Sequence, residues 1–286
     1  MSTSNKTQAV DNGLQGQWCQ TLTLQPGQTL VNELSGLHLS VTLLDHEWQL
    51  RTERVDRDVE DSHWHQRISH ETLPDDSSLQ RFIRSREAPR LTFRPALADR
   101  SMVIRPYNTL QMGPDASCTI YLSTVLWLQV LVGDAQRLLT EIPIMPPSST
   151  WMGPNTMEGE ICYAGKTYAR MLRESLPMRP WRAITPVHIR NRGQEPLAME
   201  RLSLPVPLLP LYQQKQVTPG EAEAAGGNPW LWTPEVTVTC EKSLATASLA
   251  LGQGAPVEAG PCTLVAGARE NAGKGTLVRH IDRLFG

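Results

Sequence analysis

The sequence predicts an all-β (mainly β) fold with few short helices, and two observations carry this prediction. Apolar residues recur with a period of two in short runs, so that Cys118, Ile120 and Leu122 would face one side of a strand. The intervening Thr119 and Tyr121 would face the other side. The chain is also interrupted by 22 prolines and 20 glycines. Each proline fixes φ and removes a backbone donor, which disfavours long helices and favours strand ends and turns.

Short apolar-alternating runs predict the individual strands. In the first half they are residues 18–24, 38–44, 47–53, 90–94 and 117–132. In the second half they are residues 159–164, 185–191, 197–206, 235–240, 243–251 and 263–266. Two short helices are expected, one near residues 168–175 and one over residues 275–285, where Leu277, Ile281 and Leu284 recur at helical spacing.

The length of 286 residues fits two domains. We expect a disordered tail over residues 1–14, an N-terminal β-sandwich domain over 15–147 and a C-terminal immunoglobulin-like β domain over 148–286. The boundary lies within the run Pro146-Pro147-Ser148-Ser149, which is typical of a linker. The immunoglobulin-like prediction depends on residues 187–197, where a strand, a glycine-containing turn and a second strand follow one another.

Composition excludes several classes of protein. The net charge is −2, whereas a dedicated nucleic-acid binder needs a basic face. Residues 268–276 resemble a phosphate loop, but the required first glycine is replaced by Ala268 and the position after Lys274 is Gly275. Only twelve residues follow Lys274, which leaves no room for a nucleotide fold. We therefore expect no nucleic acid, no nucleotide and no cofactor.

The five cysteines predict a reducing compartment. They are odd in number, scattered and without CxxC spacing, which favours free thiols over disulfides or a zinc site. Residues 1–13 show no signal-peptide pattern, and the longest apolar run, residues 125–132, is too short to span a membrane. We expect a cytoplasmic protein. Trp127 lies in that apolar run and is expected to be buried, with a cost of about 3–5 kcal/mol for Trp127→Ala.

Charge is separated along the first half of the chain. Residues 53–76 carry a net charge of −5 and residues 81–105 a net charge of +5. The two blocks are expected to pair within the protein, or else the arginines, among them Arg81, Arg84 and Arg86, bind an acidic partner or a phosphate group. In the second case exposed charges would make recognition depend on salt.

A second candidate binding region surrounds residues 150–160. It combines an aromatic residue, a Gly-Pro turn and two carboxylates in a predicted loop, and loops on a rigid β scaffold commonly carry function. The alternative is a hinge between domains, in which the tryptophan and proline only pack. The candidate residues are Trp151, Gly153, Pro154, Glu158 and Glu160, together with the nearby Arg170.

Three patterns leave an enzyme open as the alternative. Glu158 and Glu160, at i and i+2 on a strand, would share a face and raise one pKa. Asp61, His63 and His65 could hold a metal in the same way, although a solvated loop is the simpler interpretation and we predict no metal site. The remaining pair, Cys162 and His188, lacks any sign of an activated thiol.

Several motifs resemble the prokaryotic domain of unknown function family 432. They are Trp151-Met152-Gly153-Pro154, residues 159–164, Arg179-Pro180, residues 182–191 and residues 202–207. The resemblance extends from about Trp18 to the C-terminus. It implies no catalytic residue, because the family has no established activity. Its members tend to be encoded near mechanosensitive channels of the small-conductance type, which implies a role near a membrane protein.

The preferred hypothesis is therefore a non-enzymatic binding or accessory protein. Its partner would be another protein, a second copy of the chain or a membrane channel. The second hypothesis is an enzyme of unrecognised type that uses Glu158 and Glu160 or a metal near His63 and His65.

Overall fold

A computed structural model describes residues 14–55, 64–70, 77–106, 109–153, 157–165, 167, 169–177, 179–215, 229–241 and 247–269. Strands dominate these residues, and the helical structure among them is limited to three short 3-10 helices, Arg173–Ser175, Val206–Leu208 and Val257–Ala259. The mainly β prediction is confirmed. Residues 1–13 and the predicted helix at 275–285 lie outside the described residues.

The described strands are numbered in chain order. The first thirteen are β1 Leu14–Gln15, β2 Thr21–Thr23, β3 Thr29–Leu34, β4 Leu37–Leu43, β5 Glu47–Arg54, β6 Trp64–Ser69, β7 Ser78–Ile83, β8 Arg90–Ala96, β9 Met102–Ile104, β10 Leu110–Met112, β11 Ser117–Val125, β12 Trp127–Val132 and β13 Arg137–Pro143. The others are β14 Ser148–Met152, β15 Glu160–Ala164, β16 Ala169–Arg170, β17 Arg182–Asn191, β18 Leu197–Met199, β19 Leu202–Leu204, β20 Leu211–Gln214, β21 Leu231–Trp232, β22 Val236–Cys240, β23 Ala247–Leu251 and β24 Cys262–Ala266.

Two sheets are built from the first half of the chain. One has six strands in the antiparallel order β1-β6-β3-β4-β5-β7, and the other has four in the order β13-β12-β8-β2. The period-two pattern explains their faces, because alternate residues of a strand point to opposite sides. In β12, for example, Leu128, Val130 and Val132 are buried in the core.

The remaining sheets join strands from both sides of residue 147. β11 pairs with β17 over nine residues, from Ser117 opposite Arg190 to Val125 opposite Arg182. β10 pairs with β18, and β9 lies between β15 and β19. One connected apolar core includes residues from Trp18 to Leu249. The sheets therefore do not divide at residue 147, and the division into domains over 15–147 and 148–286 stays a prediction.

Trp127 is only partly buried, so the prediction of full burial is wrong. Its neighbour Leu126 is fully buried, as is Leu128. Trp127 shares the outer face of β12 with Gln129, because the register places Trp127 opposite Ala96 and Gln129 opposite Arg94. High apolar content in a strand does not decide which face each side chain takes, since that depends on which sheet face packs on the core.

Candidate binding cleft

A cleft of about 930 Å³ lies over the outer face of the four-stranded sheet. Its floor contains residues of β8, β12 and β13. Its walls come from the segment before β9, the start of β15, the 3-10 helix Val206–Leu208 with its flanks, and the chain that leaves β24. The lining mixes charged and apolar side chains, which is the usual chemistry of a recognition site.

A row of hydrogen-bonded polar side chains crosses the floor. The Arg94 Nε donates to Gln129 Oε1 at 2.8 Å, and the Gln129 Nε2 donates to Glu141 Oε2 at 2.9 Å. The strand register produces this row, because Gln129 stands opposite Arg94 on one side and opposite Glu141 on the other. The amide of Gln129 is therefore oriented by a cation and an anion together.

A β-bulge brings Leu138 to the same floor. The register of β12 with β13 shifts between Val130 and Leu131, so that Leu138 stands opposite Leu131 while Glu141 stands opposite Gln129. Without this extra residue, positions 138 and 141 would point to opposite faces, since side chains alternate along a strand. The bulge thus adds an apolar side chain beside the polar row, and Leu138 remains 45% exposed.

Arg269 closes the row at its far end. Its Nε donates to the carbonyl oxygens of Leu97 and Ala98 at 3.1 Å each, and its guanidinium forms an ion pair with Glu141. The same guanidinium lies over the Trp127 ring, 5.8 Å from the centroid. These contacts attach the chain beyond β24 to the floor of the cleft.

The aromatic rings of Trp127 and Tyr163 lie between Arg269 and Arg100. The Trp127 and Tyr163 rings are 6.0 Å apart, and the Arg100 guanidinium lies 5.5 Å from the Tyr163 centroid. The Tyr163 hydroxyl donates to Asp99 at 2.9 Å. Burial and the Asp99 carboxylate both raise the pKa of Tyr163, so the phenol stays protonated and keeps donating at neutral pH. A pair of aromatic rings thus lies between two arginines beside the cleft, and each ring faces one cation, which is favourable for both.

The hairpin of β14 and β15 borders the cleft. Glu160 and Ile161 line it, and Trp151 stands opposite Ile161 in the register. Trp151 and Ile161 are 42% and 54% exposed, so an apolar surface adjoins the cleft. The hairpin is tight, because a Cβ at Gly153 would lie 2.1 Å from the Glu158 carbonyl oxygen.

The other candidates of this region lie elsewhere. Pro154 is outside the described residues. Glu158 is exposed in the turn before β15, which begins at Glu160, so the expected shared strand face of the two carboxylates does not form. Arg170 lies on β16 opposite Tyr121 and is half-buried, away from the cleft lining.

The arginines of residues 81–105 lie in different parts of the structure. Arg94 and Arg100 line the cleft, whereas Arg81, Arg84 and Arg86 lie on β7 or the turn after it. The Arg81 Nη2 is 2.8 Å from the Glu47 carboxylate, and the Arg84 Nη2 donates to the Glu87 carbonyl at 3.3 Å. Arg86 is exposed.

Two arginines of this block pair with described acids that lie outside residues 53–76. Arg81 pairs with Glu47 and Arg90 with Asp134, at 2.8 Å and 2.5 Å. Most of the acidic block, residues 56–63 and 71–76, is outside the described residues, so pairing between the blocks stays a prediction.

The structure gives little support to the residues considered for catalysis or metal binding. All five cysteines are free thiols, as predicted. Burial, followed by the nearby Glu160 carboxylate, raises the pKa of Cys162 to about 12, so this thiol is protonated and weakly nucleophilic at neutral pH. Asp61 and His63 lie outside the described residues. Within the described ranges, no three His, Cys, Asp or Glu side chains are grouped to hold a metal.

A protein-family model described as "Protein of unknown function (DUF432)" matches residues 18–281. The chain belongs to the DUF432 family. The DUF432 match covers nearly the whole chain and includes every cleft residue. No curated protein and no solved structure matched the chain. None of the helices in the described ranges is long and apolar enough to cross a membrane.

Sequence reasoning missed Glu141 and Arg269 as members of the cleft, and Trp127 and Tyr163 as the aromatic rings beside it. One signal was present: Gln129 interrupts the otherwise apolar run of residues 125–132, and a polar residue there marks a face that is not packed in the core. No comparable signal identified Arg269, since its partners lie about 130 to 170 residues away in the sequence.

Proposed function

We propose that the protein is a non-enzymatic binding protein whose cleft receives a segment of a partner protein. The observation that carries the proposal is the combination of two exposed apolar side chains, Leu138 on the floor and Ile161 on the wall, with a row of hydrogen-bonded polar and charged side chains across the floor. Protein segments present apolar side chains together with backbone donors and acceptors, and this lining can satisfy both.

The balance of charge favours a peptide over a small anion. Three arginines line the cleft, but so do three acids, Asp99, Glu141 and Glu160. Arg269 is already neutralised by Glu141, and Arg100 lies 4.0 Å from Asp99. A site for a phosphorylated metabolite would concentrate uncompensated positive charge. Tryptophan and arginine, which surround this cleft, are enriched among the residues that dominate protein interfaces.

The remaining elements of the proposal concern the partner and its location. We place the protein in the cytoplasm, in keeping with its free thiols. The family resemblance favours a membrane channel of the small-conductance mechanosensitive type as the partner. The C-terminal strands are proposed to follow an immunoglobulin-like arrangement around β17, which has β11 on one side and β22 on the other.

Site-specific photocross-linking tests the cleft directly. A photoreactive phenylalanine analogue at Leu138 should cross-link to one defined segment of a partner protein in cells. The matched control places it at Val257, which is fully exposed and does not line the cleft. The Leu138→Glu variant should weaken the isolated complex, whereas Val257→Glu should leave its affinity unchanged.

Two outcomes would contradict the proposal. One is equal cross-linking from positions 138 and 257, which would indicate non-specific contact. The other is turnover of a small molecule by the purified protein that Glu160→Gln abolishes, which would favour the enzyme hypothesis instead.

A further inference from the structure

β7 forms one edge of the six-stranded sheet and pairs with β5 as its neighbour among the described strands. The direction of its backbone groups follows from the register. The Arg84 N–H donates to the His46 carbonyl at 2.8 Å, which makes residues 84 and 46 a hydrogen-bonded pair. Hydrogen-bonded pairs alternate along an antiparallel ladder, so residues 82, 80 and 78 also bond to β5.

The other side of β5 supports the same assignment. The Leu44 N–H donates to the Glu47 carbonyl at 2.9 Å, so the odd-numbered residues of β5 bond to β4 and the even-numbered ones to β7. The backbone N–H and C=O groups of Leu79, Arg81 and Ile83 therefore point away from β5, along the outer edge of the sheet.

The side chains of these three residues share one face of β7. Leu79 is 41% exposed and Ile83 is 85% exposed, while Phe82 on the other face packs against the core. Proteins commonly protect an edge strand with proline, lysine or an inward-pointing charge. β7 has none of these, and its single charge, Arg81, is held by Glu47 at 2.8 Å.

We infer that β7 is a self-association edge, at which a second copy of the chain adds its own β7 in antiparallel orientation. The inference is independent of the cleft and goes beyond the proposed function. In the two-fold register centred on residue 81, Leu79 stands opposite Ile83 of the second copy at both ends. The three hydrogen-bonded pairs of this register use every outward-pointing backbone group of the strand.

Self-complementarity is what selects a second copy as the occupant. The register brings the two exposed apolar side chains of each strand beside those of the other, and such cross-strand pairs stabilise a sheet. The two Arg81 side chains meet at the centre, but each arrives with its own Glu47 carboxylate, so the centre is neutral overall. A foreign strand would have to reproduce this apolar, charged, apolar order.

The first test measures molar mass by light scattering over a range of concentrations. The wild-type protein should form a dimer, and Ile83→Asp should raise its dissociation constant at least about tenfold, because a carboxylate would face Leu79 of the second copy. Ile68→Asp is the matched control, since Ile68 is 45% exposed on the same sheet but belongs to β6. This control should dimerise as the wild type does.

The second test identifies the register. With the exposed Cys19 replaced by serine, Arg81→Cys should form an intermolecular disulfide under mild oxidation, because residues in a hydrogen-bonded pair have Cα atoms about 5.5 Å apart. Leu79→Cys should not, because its opposite residue is Ile83. A wild-type monomer at all concentrations, a dimer unaffected by Ile83→Asp, or capture of only a foreign strand at this edge would each overturn the inference.

Discussion

Trp127 lies beside the cleft, where its partly buried indole contacts the Tyr163 ring and the Arg269 guanidinium and packs against the main core. Its neighbour Leu128 points to the opposite side of β12 and is fully buried. At the scale of single residues, therefore, the face of the strand decides the environment, even inside one apolar run.

This difference predicts a stability order. Trp127→Ala should lower the free energy of unfolding by about 1–2 kcal/mol, less than the loss usual for a fully buried aromatic. Leu128→Ala should cost about 2–5 kcal/mol, because it leaves a cavity in the core. Urea unfolding of both variants measures the order, and a larger loss for Trp127→Ala would contradict it.

The cysteines offer a second prediction at this scale. Burial raises the pKa of Cys240 to about 11, and burial together with Glu160 raises that of Cys162 to about 12. Burial also raises the pKa of Cys19, against the opposing effect of Arg94, but Cys19 is exposed to solvent and can be reached in the folded protein. A thiol reagent at about pH 8 should therefore label Cys19 first and should reach Cys162 and Cys240 only after unfolding. Cys19→Ser is the control and should remove the fast phase. Rapid labelling of Cys162 in the folded protein would disprove the prediction.

At the scale of elements, Asn191 connects two turns. Its Nδ2 donates to the carbonyl oxygens of Gly113 and Glu195 at 3.0 and 2.9 Å, and its Oδ1 accepts from the Gly193 N–H at 3.0 Å. The side chain thus joins the turn before β11 to the turn after β17. The Asn191 side chain is buried. If it were replaced, its partner groups would lose hydrogen bonds that water replaces poorly.

Asn191→Asp should consequently be as damaging as Asn191→Ala, because a carboxylate keeps the acceptor but cannot donate. We expect each to lower the unfolding free energy by about 2–4 kcal/mol, measured by urea unfolding. The control Gln194→Ala changes an exposed residue in the same turn and should stay within about 0.5 kcal/mol of the wild type. Wild-type stability of Asn191→Asp would show that the donated bonds contribute nothing.

Glu87 connects the turn after β7 to β13. Burial opposes its charged form, but hydrogen bonds from Ser85 and Arg137 prevail and lower its pKa from 4.5 to about 2. A carboxyl group whose pKa is lowered on folding stabilises the protein above its unfolded pKa, and this contribution is lost as the pH falls through the folded pKa.

Glu87→Gln should therefore lower stability by about 1 kcal/mol at pH 7, a value reduced for solvent screening of this surface pair. The difference from the wild type should shrink between about pH 4.5 and pH 2 and should vanish below that. Unfolding free energies measured across this range test the prediction, with the exposed Glu174→Gln as control. A difference that is independent of pH would contradict the assigned role of the carboxylate.

At the scale of the whole molecule, the pairing of β11 with β17 joins the two halves of the chain. In each of the nine residue pairs, one residue precedes residue 147 in the sequence and the other follows it. Both strands contribute side chains to one connected core. Separately expressed fragments 1–147 and 148–286 should therefore fail to fold cooperatively, since each would expose a sheet edge and core side chains. Co-expressed fragments should associate.

Circular dichroism and thermal unfolding of the fragments provide the measurement. Cooperative unfolding of either fragment alone would instead support two independent domains, as the length and the proline-rich run at residue 146 indicated. The uncut protein should show a far-ultraviolet spectrum dominated by strands.

The candidate residues of the cleft were only partly predictable. Glu160 was identified because a loop with an aromatic residue and carboxylates suggested recognition, and it does line the cleft. Arg81 and Arg94 belong to the same positively charged block, but Arg94 lies in the cleft, whereas Arg81 pairs with Glu47 within the six-stranded sheet. Charge density along the chain locates arginines, whereas their partners depend on strand order, which local patterns do not encode.

The sequence by itself determined the fold class, most of the strands and the absence of long helices in the described ranges, because side-chain alternation and proline act over a few residues. Only the tertiary structure decided which strands pair across residue 147, which face of β12 carries Trp127, and how Arg269 reaches Glu141 from 128 positions away. The physical reason is the distance along the sequence over which each kind of interaction acts. Local patterns set the conformation of a segment, while a cleft forms where segments distant in sequence pack together and satisfy one another's charges.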